Sequence, residues 1–111
     1  MRPRAPDPLL VAAVLRELRR RSSPVTWRAL ARTLRTIPRR CQEAVWQLRC
    51  RGQRIVSGPR GVELTRSRQK VEAFVAREER RMRRERRALA GVKRGHVPQA
   101  QIPAVRRRRA A

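Results

Sequence analysis

The stretch QRIVSGPRGVEL, residues Gln53–Leu64, reads as two short apolar strands joined by a turn. Its centre, Ser57–Gly61, is built from glycine, proline and serine around one arginine, which is the composition of a tight corner. An isolated two-stranded hairpin is only marginally stable in water. We therefore expect this hairpin to pack against other elements and to present Arg60 at its tip.

Three amphipathic helices are predicted before the hairpin. The first begins at Asp7 and Pro8, because aspartate is a favoured cap and proline suits the first turn. Thr26 can cap the second, Pro38 opens the third and Gly52 is placed to end it. Their apolar positions recur at helical spacing: Leu10, Val11, Val14, Leu15 and Leu18, then Trp27, Leu30, Ala31 and Leu34, then Cys41, Ala44, Val45 and Leu48. Val25, between the first two helices, is expected to form a single short strand.

A long charged helix is predicted over residues 67–90, after the hairpin. Its apolar line is thin, and Val75, Met82 and Leu89 recur every seven residues, a spacing compatible with pairing of two helices. Glu79 precedes Arg83 by four residues, which predicts a supportive ion pair. Residues 91–111 have scattered prolines and a final arginine block, so we expect a disordered basic tail. The predicted organisation is thus a domain at 1–66, the helix at 67–90 and the tail at 91–111.

The predicted fold class is mainly α, of the α+β kind, with a three-helix core and a β-hairpin. The order helix, helix, tight turn, helix, hairpin is the plan of a winged helix-turn-helix, in which the hairpin is the wing. In that plan the hairpin closes the open end of the helical core, and its tip reaches a nucleic-acid backbone.

The residues from about Leu9 to Thr65 resemble the DNA-binding domain of biotin operon repressors and DeoR-like bacterial regulators. The matching positions are Thr26, Leu30, Leu34, Cys41, Val45, Leu48, the Arg-x-x-Gly of Arg49 to Gly52, and Ile55, Ser57, Gly61 and Leu64 of the hairpin. Arg35 stands where the family usually has glycine, so it must adopt a different turn or bear strain. Ile37 replaces the usual Ser or Thr cap before the third helix. The overall format is similar to that of small phage or mobile-element DNA-binding proteins.

Candidate DNA-binding residues lie on the third helix and the hairpin. The side of the third helix opposite its apolar positions carries Arg39, Arg40, Gln42, Glu43, Trp46 and Gln47. Arginine and glutamine make bidentate contacts with guanine and adenine edges, whereas glutamate accepts from cytosine or positions a neighbouring arginine. For Trp46 three interpretations stay open: packing on the C-terminal helix, stacking on a base, and a subunit contact. Arg54 at the base of the hairpin and Arg60 at its tip are candidates for phosphate or minor-groove contact.

The charge indicates the class of partner. Thirty-one basic residues face eight acidic ones, giving a formal charge of +23, and all but two of the basic residues are arginine. A chain so charged repels itself unless polyanions are near, so double-stranded DNA is the expected partner. A GC-rich genome accounts for arginine in place of lysine but leaves the scarcity of acidic residues unexplained.

The sequence disfavours other classes of protein, namely enzymes, metalloproteins and membrane proteins. One aspartate, one histidine and no glycine-rich phosphate loop predict that the chain is not an enzyme. Cys41 and Cys50 lie about 13 Å apart along one predicted helix, too far for a disulfide within it, and they form no zinc set with His96. No cofactor, metal or small-molecule ligand is expected. No apolar run approaches the ~20 residues of a membrane span, and no cleavage site follows the first apolar patch. We expect a cytoplasmic, nucleoid-associated protein.

These observations predict a sequence-preferring double-stranded DNA-binding protein that regulates transcription in a bacterial or phage genome. The third helix would enter the major groove, and the C-terminal helix would add backbone contacts or form a homodimer. Two alternatives remain open: a phage DNA-packaging or replication-initiation subunit, and an arginine-rich RNA-binding accessory protein whose segment Arg77 to Arg87 folds on RNA.

Overall fold

A computed structural model describes residues 5–95 of the chain, and the predicted mainly-α class with one hairpin is confirmed. In chain order the elements are α1 (Pro8–Arg20), α2 (Trp27–Thr33), α3 (Pro38–Cys50), β1 (Ile55–Gly58), β2 (Gly61–Leu64) and α4 (Arg68–Arg94). The chain divides into two compact units after Ala76.

The core of the first unit lies among α1, α2, α3 and the hairpin. It consists of the buried residues Val11, Val14, Leu18, Val25, Leu30, Ala31, Cys41, Ala44, Val45, Leu48, Ile55 and Val62. The predicted apolar stripes supply these positions, while Leu10, Leu15, Trp27 and Leu34 are half-buried against the core. Cys41 is fully buried, as expected of a small core residue.

Two predicted caps begin the first two helices. Asp7 Oδ1 accepts a hydrogen bond from the Leu9 N–H at 3.0 Å, and Thr26 Oγ1 accepts one from the Ala29 N–H at 3.1 Å. Each satisfies an N–H group that has no partner within its helix. Ile37, by contrast, precedes α3 without a side-chain cap, as the sequence predicts.

The turn after α2 keeps the geometry usual for glycine although Arg35 occupies it. Arg35 has a φ of 55°, the only positive φ of a non-glycine residue in the described part of the chain. The Thr36 N–H donates to Ala31 O at 2.9 Å and the Arg35 N–H to Arg32 O at 3.2 Å, which together form a Schellman motif. Of the two expectations for Arg35, the structure therefore has the strained left-handed residue.

Gly52 ends α3 with the same motif. Its φ is 91°, its N–H donates to Arg49 O at 2.9 Å, and the Gln53 N–H donates to Leu48 O at 3.0 Å. The left-handed conformation carries no side-chain penalty for glycine, so the chain reverses here into the hairpin.

The hairpin pairs β1 with β2 in antiparallel register, with Ser57 opposite Val62 and Gly58 opposite Gly61. Its turn contains only Pro59 and Arg60, so it is shorter than the corner predicted over Ser57–Gly61. Val25 extends the pairing as predicted: its N–H donates to Val62 O at 3.0 Å, and its carbonyl accepts from the Val62 N–H at 2.8 Å.

The boundaries predicted for α4 and the tail need correction. The first compact unit runs to Ala76. The helix begins at Arg68 and runs to Arg94, so residues 91–94, predicted as part of the disordered tail, are helical. Gly91 weakens a helix by only about 1 kcal/mol, and Lys93 and Arg94 suit its negative C-terminal end. The rest of the predicted tail, residues 96–111, lies outside the described residues.

Candidate nucleic-acid interface

Helix α3 buries one side and exposes the other. Cys41, Ala44, Val45 and Leu48 are buried in the core. On the remaining surface Arg39, Arg40, Gln42 and Trp46 are exposed, while Glu43 and Gln47 are half-buried. The structure thus brings all six predicted α3 residues onto the solvent side of one helix, and its first turns carry the groups suited to base edges.

Glu43 pairs with Arg39 across one turn of α3. Arg39 Nε lies 3.5 Å from Glu43 Oε1, and the two side chains are 84% and 43% exposed. Such exposed pairs contribute about 0.2–1 kcal/mol, so an incoming phosphate or base can displace the carboxylate at little cost. This contact agrees with the interpretation in which Glu43 positions a neighbouring arginine.

Trp46 is 63% exposed. It lines a shallow groove together with Ala5, Pro6, Gln42 and Gln47. A packed tryptophan would bury most of its ring. Its exposure therefore favours stacking on a base or a subunit contact over the packing interpretation.

The hairpin presents the other two predicted residues. Arg60 is exposed in the two-residue turn between β1 and β2. Arg54 is exposed just before β1, where its carbonyl accepts a hydrogen bond from the Thr65 N–H at 2.9 Å. Both side chains are accessible to a ligand, one at the tip of the hairpin and one at its base.

Arg49 fixes the hairpin against α3, a role that sequence reasoning missed. Its Nε donates to Ile55 O at 2.8 Å and its guanidinium reaches Ser57 Oγ at 3.4 Å. The same guanidinium lies over the Phe74 ring, 4.7 Å from the centroid. One side chain thereby joins the end of α3, strand β1 and the first turns of α4. The Arg-x-x-Gly pattern that ends at Gly52 marks the position, but spacing alone does not show its contacts.

An ion pair joins the hairpin to the start of α4. Lys70 Nζ lies 3.0 Å from Glu63 Oε1, and Ser67 Oγ caps the helix by accepting from the Lys70 N–H at 3.2 Å. Together with Arg49, these contacts attach the first turns of α4 to the rest of the first unit.

The basic end of α1 is partly engaged within the protein. Glu17 is 8% exposed and accepts from Arg20 at 2.6 Å and from Arg21 at 2.8 Å. The hydrogen bond from Arg20, helped by Arg21, lowers the pKa of the Glu17 carboxyl although burial opposes that shift. Arg21 also reaches Thr33 Oγ1 at 3.4 Å, which joins the ends of α1 and α2.

In the second unit two glutamates of α4 form ion pairs with the same arginine. Arg81 pairs with Glu78 at 3.2 Å and with Glu85 at 2.7 Å. The predicted pair of Glu79 with Arg83 is wrong, since none of the ion pairs within residues 5–95 joins them. Both side chains are exposed, and a pair at this spacing contributes only about 0.2–0.5 kcal/mol, too little to hold two long side chains in one geometry.

The remaining chemistry is limited. Burial raises the pKa of the Cys41 thiol, whereas Cys50 is exposed, and both cysteines are unbridged. Within residues 5–95 there is no group of three or more metal-ligating side chains, and no helix of that range is both long and apolar enough to cross a membrane.

Comparison with protein-family models, with curated proteins and with solved structures found no match for this chain.

Proposed function

We propose that this chain is a sequence-preferring double-stranded DNA-binding protein of the winged-helix class, acting in transcription regulation of a bacterial or phage genome. In this proposal α3 enters the major groove and the hairpin serves as the wing. The protein would accordingly be nucleoid-associated in the cytoplasm and act without catalysis or cofactor.

The observation that carries the proposal is the two-sided character of α3. Its buried side is held by α1, α2 and the hairpin, so the helix is rigid, and its solvent side places Arg39 and Gln42 in the first turns. Recognition helices contact base edges mainly through their N-terminal residues. Arginine suits guanine and glutamine suits adenine, so this surface has the chemistry of direct readout.

The hairpin supports the proposal through its position in the chain and its attachment. Arg49 ties β1 to the end of α3, and the bridge at Val25 ties β2 to the start of α2. Arg60 therefore extends from a fixed base. An exposed arginine at such a tip suits a phosphate or the minor groove, because its charge is attracted to both.

The decisive experiment is selection of bound duplexes from a random pool at physiological salt. We expect an enriched motif, and we expect Arg39→Ala to cost about 1–3 kcal/mol on that motif and to relax the choice at one base pair. Arg51→Ala, which removes one exposed charge at the opposite end of the same helix, should weaken binding without relaxing the choice. Absence of any enriched motif would contradict the proposal.

Two other outcomes would redirect the assignment. Stable higher oligomers by light scattering, with no sequence preference, would favour a DNA-packaging or replication-initiation subunit. Preference for structured RNA over duplex DNA in competition would favour the RNA-binding alternative, for which the arginine-rich half of α4 is the relevant feature.

The exposed apolar residues of α4 belong to the same proposal as a homodimer contact. Val75, Met82 and Leu89 are 42%, 42% and 56% exposed and lie seven residues apart. Glu78, Arg81 and Glu85 lie beside them, so the contact is weak and we expect a dimer chiefly on DNA. Met82→Ser with Leu89→Ser should then lower the stoichiometry on DNA in sedimentation, and unchanged stoichiometry would exclude this contact.

A further inference from the structure

Four arginines of the second half of α4 lie on one side of the helix, and two of its glutamates lie on the other. Successive residues of an α-helix are rotated by about 100°. At this spacing Arg80, Arg83, Arg84 and Arg87 share one side, which we call the arginine face, and they line a shallow groove. Glu78 and Glu85 lie on the opposite side together with Met82 and Leu89.

The arginine face is exposed, and a single glutamate, Glu79, lies at helical spacing from it, four residues before Arg83. All four side chains are exposed, and none takes part in an ion pair within the described residues. Arg81, which the two glutamates bind, points away from this face. Glu78 and Glu85 thus neutralise Arg81 on their own side, and Glu79 forms no ion pair within the described residues, so the arginine face stays strongly cationic.

Such an arrangement is unfavourable for an isolated helix. Like charges three and four residues apart repel each other, and the four arginines form several such pairs. A helix selected only for solubility would intersperse its glutamates among these positions, as it does around Arg81. The arginine face therefore indicates an external polyanion that relieves the repulsion when it binds.

We propose that the arginine face binds the phosphate backbone of duplex DNA, as a second contact separate from α3 and the hairpin. From Arg80 to Arg87 the row is about 10 Å long, or about three base-pair steps of one strand. Guanidinium groups bind phosphate oxygens in a bidentate manner, and phosphate contacts carry no sequence information. The arginine face thus adds affinity and salt dependence, while α3 supplies the choice of sequence. The commitment to DNA rests on the function proposed above.

The test is a titration of the full chain on its selected duplex and on a scrambled duplex at several salt concentrations. Each lost phosphate contact lowers the slope of log K against log salt by about 0.9. Arg83→Gln with Arg87→Gln should therefore lower the slope by about 2 on both duplexes alike. The matched control is Arg86→Gln with Lys93→Gln, which removes two exposed charges of the same helix that lie outside the arginine face. It should lower the slope by less than half as much.

The outcomes separate this inference from the proposed function. If face and control variants lose equal slope, the arginine face is not a binding surface, even where α3 variants still relax the choice of sequence. Suppose that only the arginine-face variants lower the slope of log K against log salt, while the wild type shows no preference between the two duplexes. The arginine face is then a binding surface, but the proposed sequence preference through α3 is wrong. A larger loss on a length-matched RNA duplex than on DNA would overturn the commitment to DNA. Circular dichroism of each variant should be unchanged, because all the altered side chains are exposed.

Discussion

Replacing Gly61 by alanine tests whether the hairpin is held by its close approach to Val25. An ideal Cβ at Gly61 would lie 2.3 Å from Val25 O and 2.8 Å from Thr26 N. Both are backbone atoms, so a change of side-chain rotamer cannot relieve the overlap. Gly61 also has a φ of 123°, which L-residues rarely adopt. Either the hairpin or the segment before α2 must therefore move.

The expected magnitude follows from the contacts that such a movement breaks. Strain at a positive φ costs about 1–3 kcal/mol. The bridge between Val25 and Val62 contributes two hydrogen bonds of about 1 kcal/mol each. Val62 is fully buried, so displacing it also loses part of the roughly 1.5–3 kcal/mol that burial of such a side chain provides. We expect a loss of about 3–5 kcal/mol, a large share of the roughly 5–15 kcal/mol available to a small domain.

The matched control is Gly52→Ala, in which a positive φ occurs without a close contact. Gly52 has a φ of 91° but nothing within 4 Å of the added Cβ, so only the strain remains, partly offset by the stiffer unfolded chain. We expect this variant to lose about 1 kcal/mol. Urea unfolding followed by tryptophan fluorescence measures both, since Trp27 packs against the core. Equal losses in the two variants would refute the assignment of Gly61 as the point where the hairpin meets Val25.

Changes at five other residues probe further parts of the first unit by the same unfolding measurement. Arg49→Met should lower the free energy of unfolding by about 2–3 kcal/mol, because the carbonyl of Ile55 and the Phe74 ring lose their cationic partner. Arg49→Lys should restore only part of that stability, and full restoration by lysine would show that the guanidinium group itself is not required. Arg35→Gly should stabilise by about 0.5–1 kcal/mol, since it relieves the left-handed strain, and a loss of stability would mean that the Arg35 side chain makes a compensating contact. The pKa of Glu17 is lowered below 4.5 in the folded protein, so its contribution to stability is full above that pH and is lost as the pH falls through the folded-state pKa. Glu17→Gln should therefore make the free energy of unfolding depend less on pH in the acid range. An unchanged pH dependence would show that this carboxyl does not stabilise the fold. Val62→Asp should cost about 1–3 kcal/mol or more because it buries an unpaired charge, whereas Arg60→Ala should stay within about 0.5 kcal/mol; similar losses would reverse the inside–outside assignment of the hairpin.

Local patterns predicted most of the first unit. The caps at Asp7 and Thr26, the stop at Gly52 and the strand at Val25 follow from residue type and neighbours, so the sequence was sufficient for them. Arg49 was different because its partners are a strand carbonyl and an aromatic ring on another helix, which no helical period encodes. The same side chain attaches the first turns of α4 to the first unit, a contact that the sequence did not predict.

The candidate interface was predicted as a surface rather than as a set of contacts. Helical spacing correctly placed Arg39, Gln42 and Trp46 on the exposed side of α3. Helical spacing left open whether Glu43 contacts a base or an arginine, because two side chains four residues apart meet only when both adopt suitable rotamers. For α4, the net charge drew attention to the helix, but the separation of its two sides became clear only from the ion pairs of Arg81.

The positions of the acidic side chains show that the excess of positive charge is more than a bias of composition. Of the eight acidic residues, all but Glu79 cap a helix or form an ion pair: Asp7, Glu17, Glu43, Glu63, Glu72, Glu78 and Glu85. Three of them hold elements of the first unit together: Asp7 at the start of α1, Glu17 at its end, and Glu63 between the hairpin and α4. A bias toward arginine codons does not produce such a placement, because it acts on every position alike. The net charge of +23 is what remains after the eight acidic residues are subtracted, so it has no counter-charge within the chain and is only screened by salt until a polyanion binds. A density of phosphates like that of duplex DNA, about one charge per 1.7 Å of axis, is the kind of anion that can neutralise it.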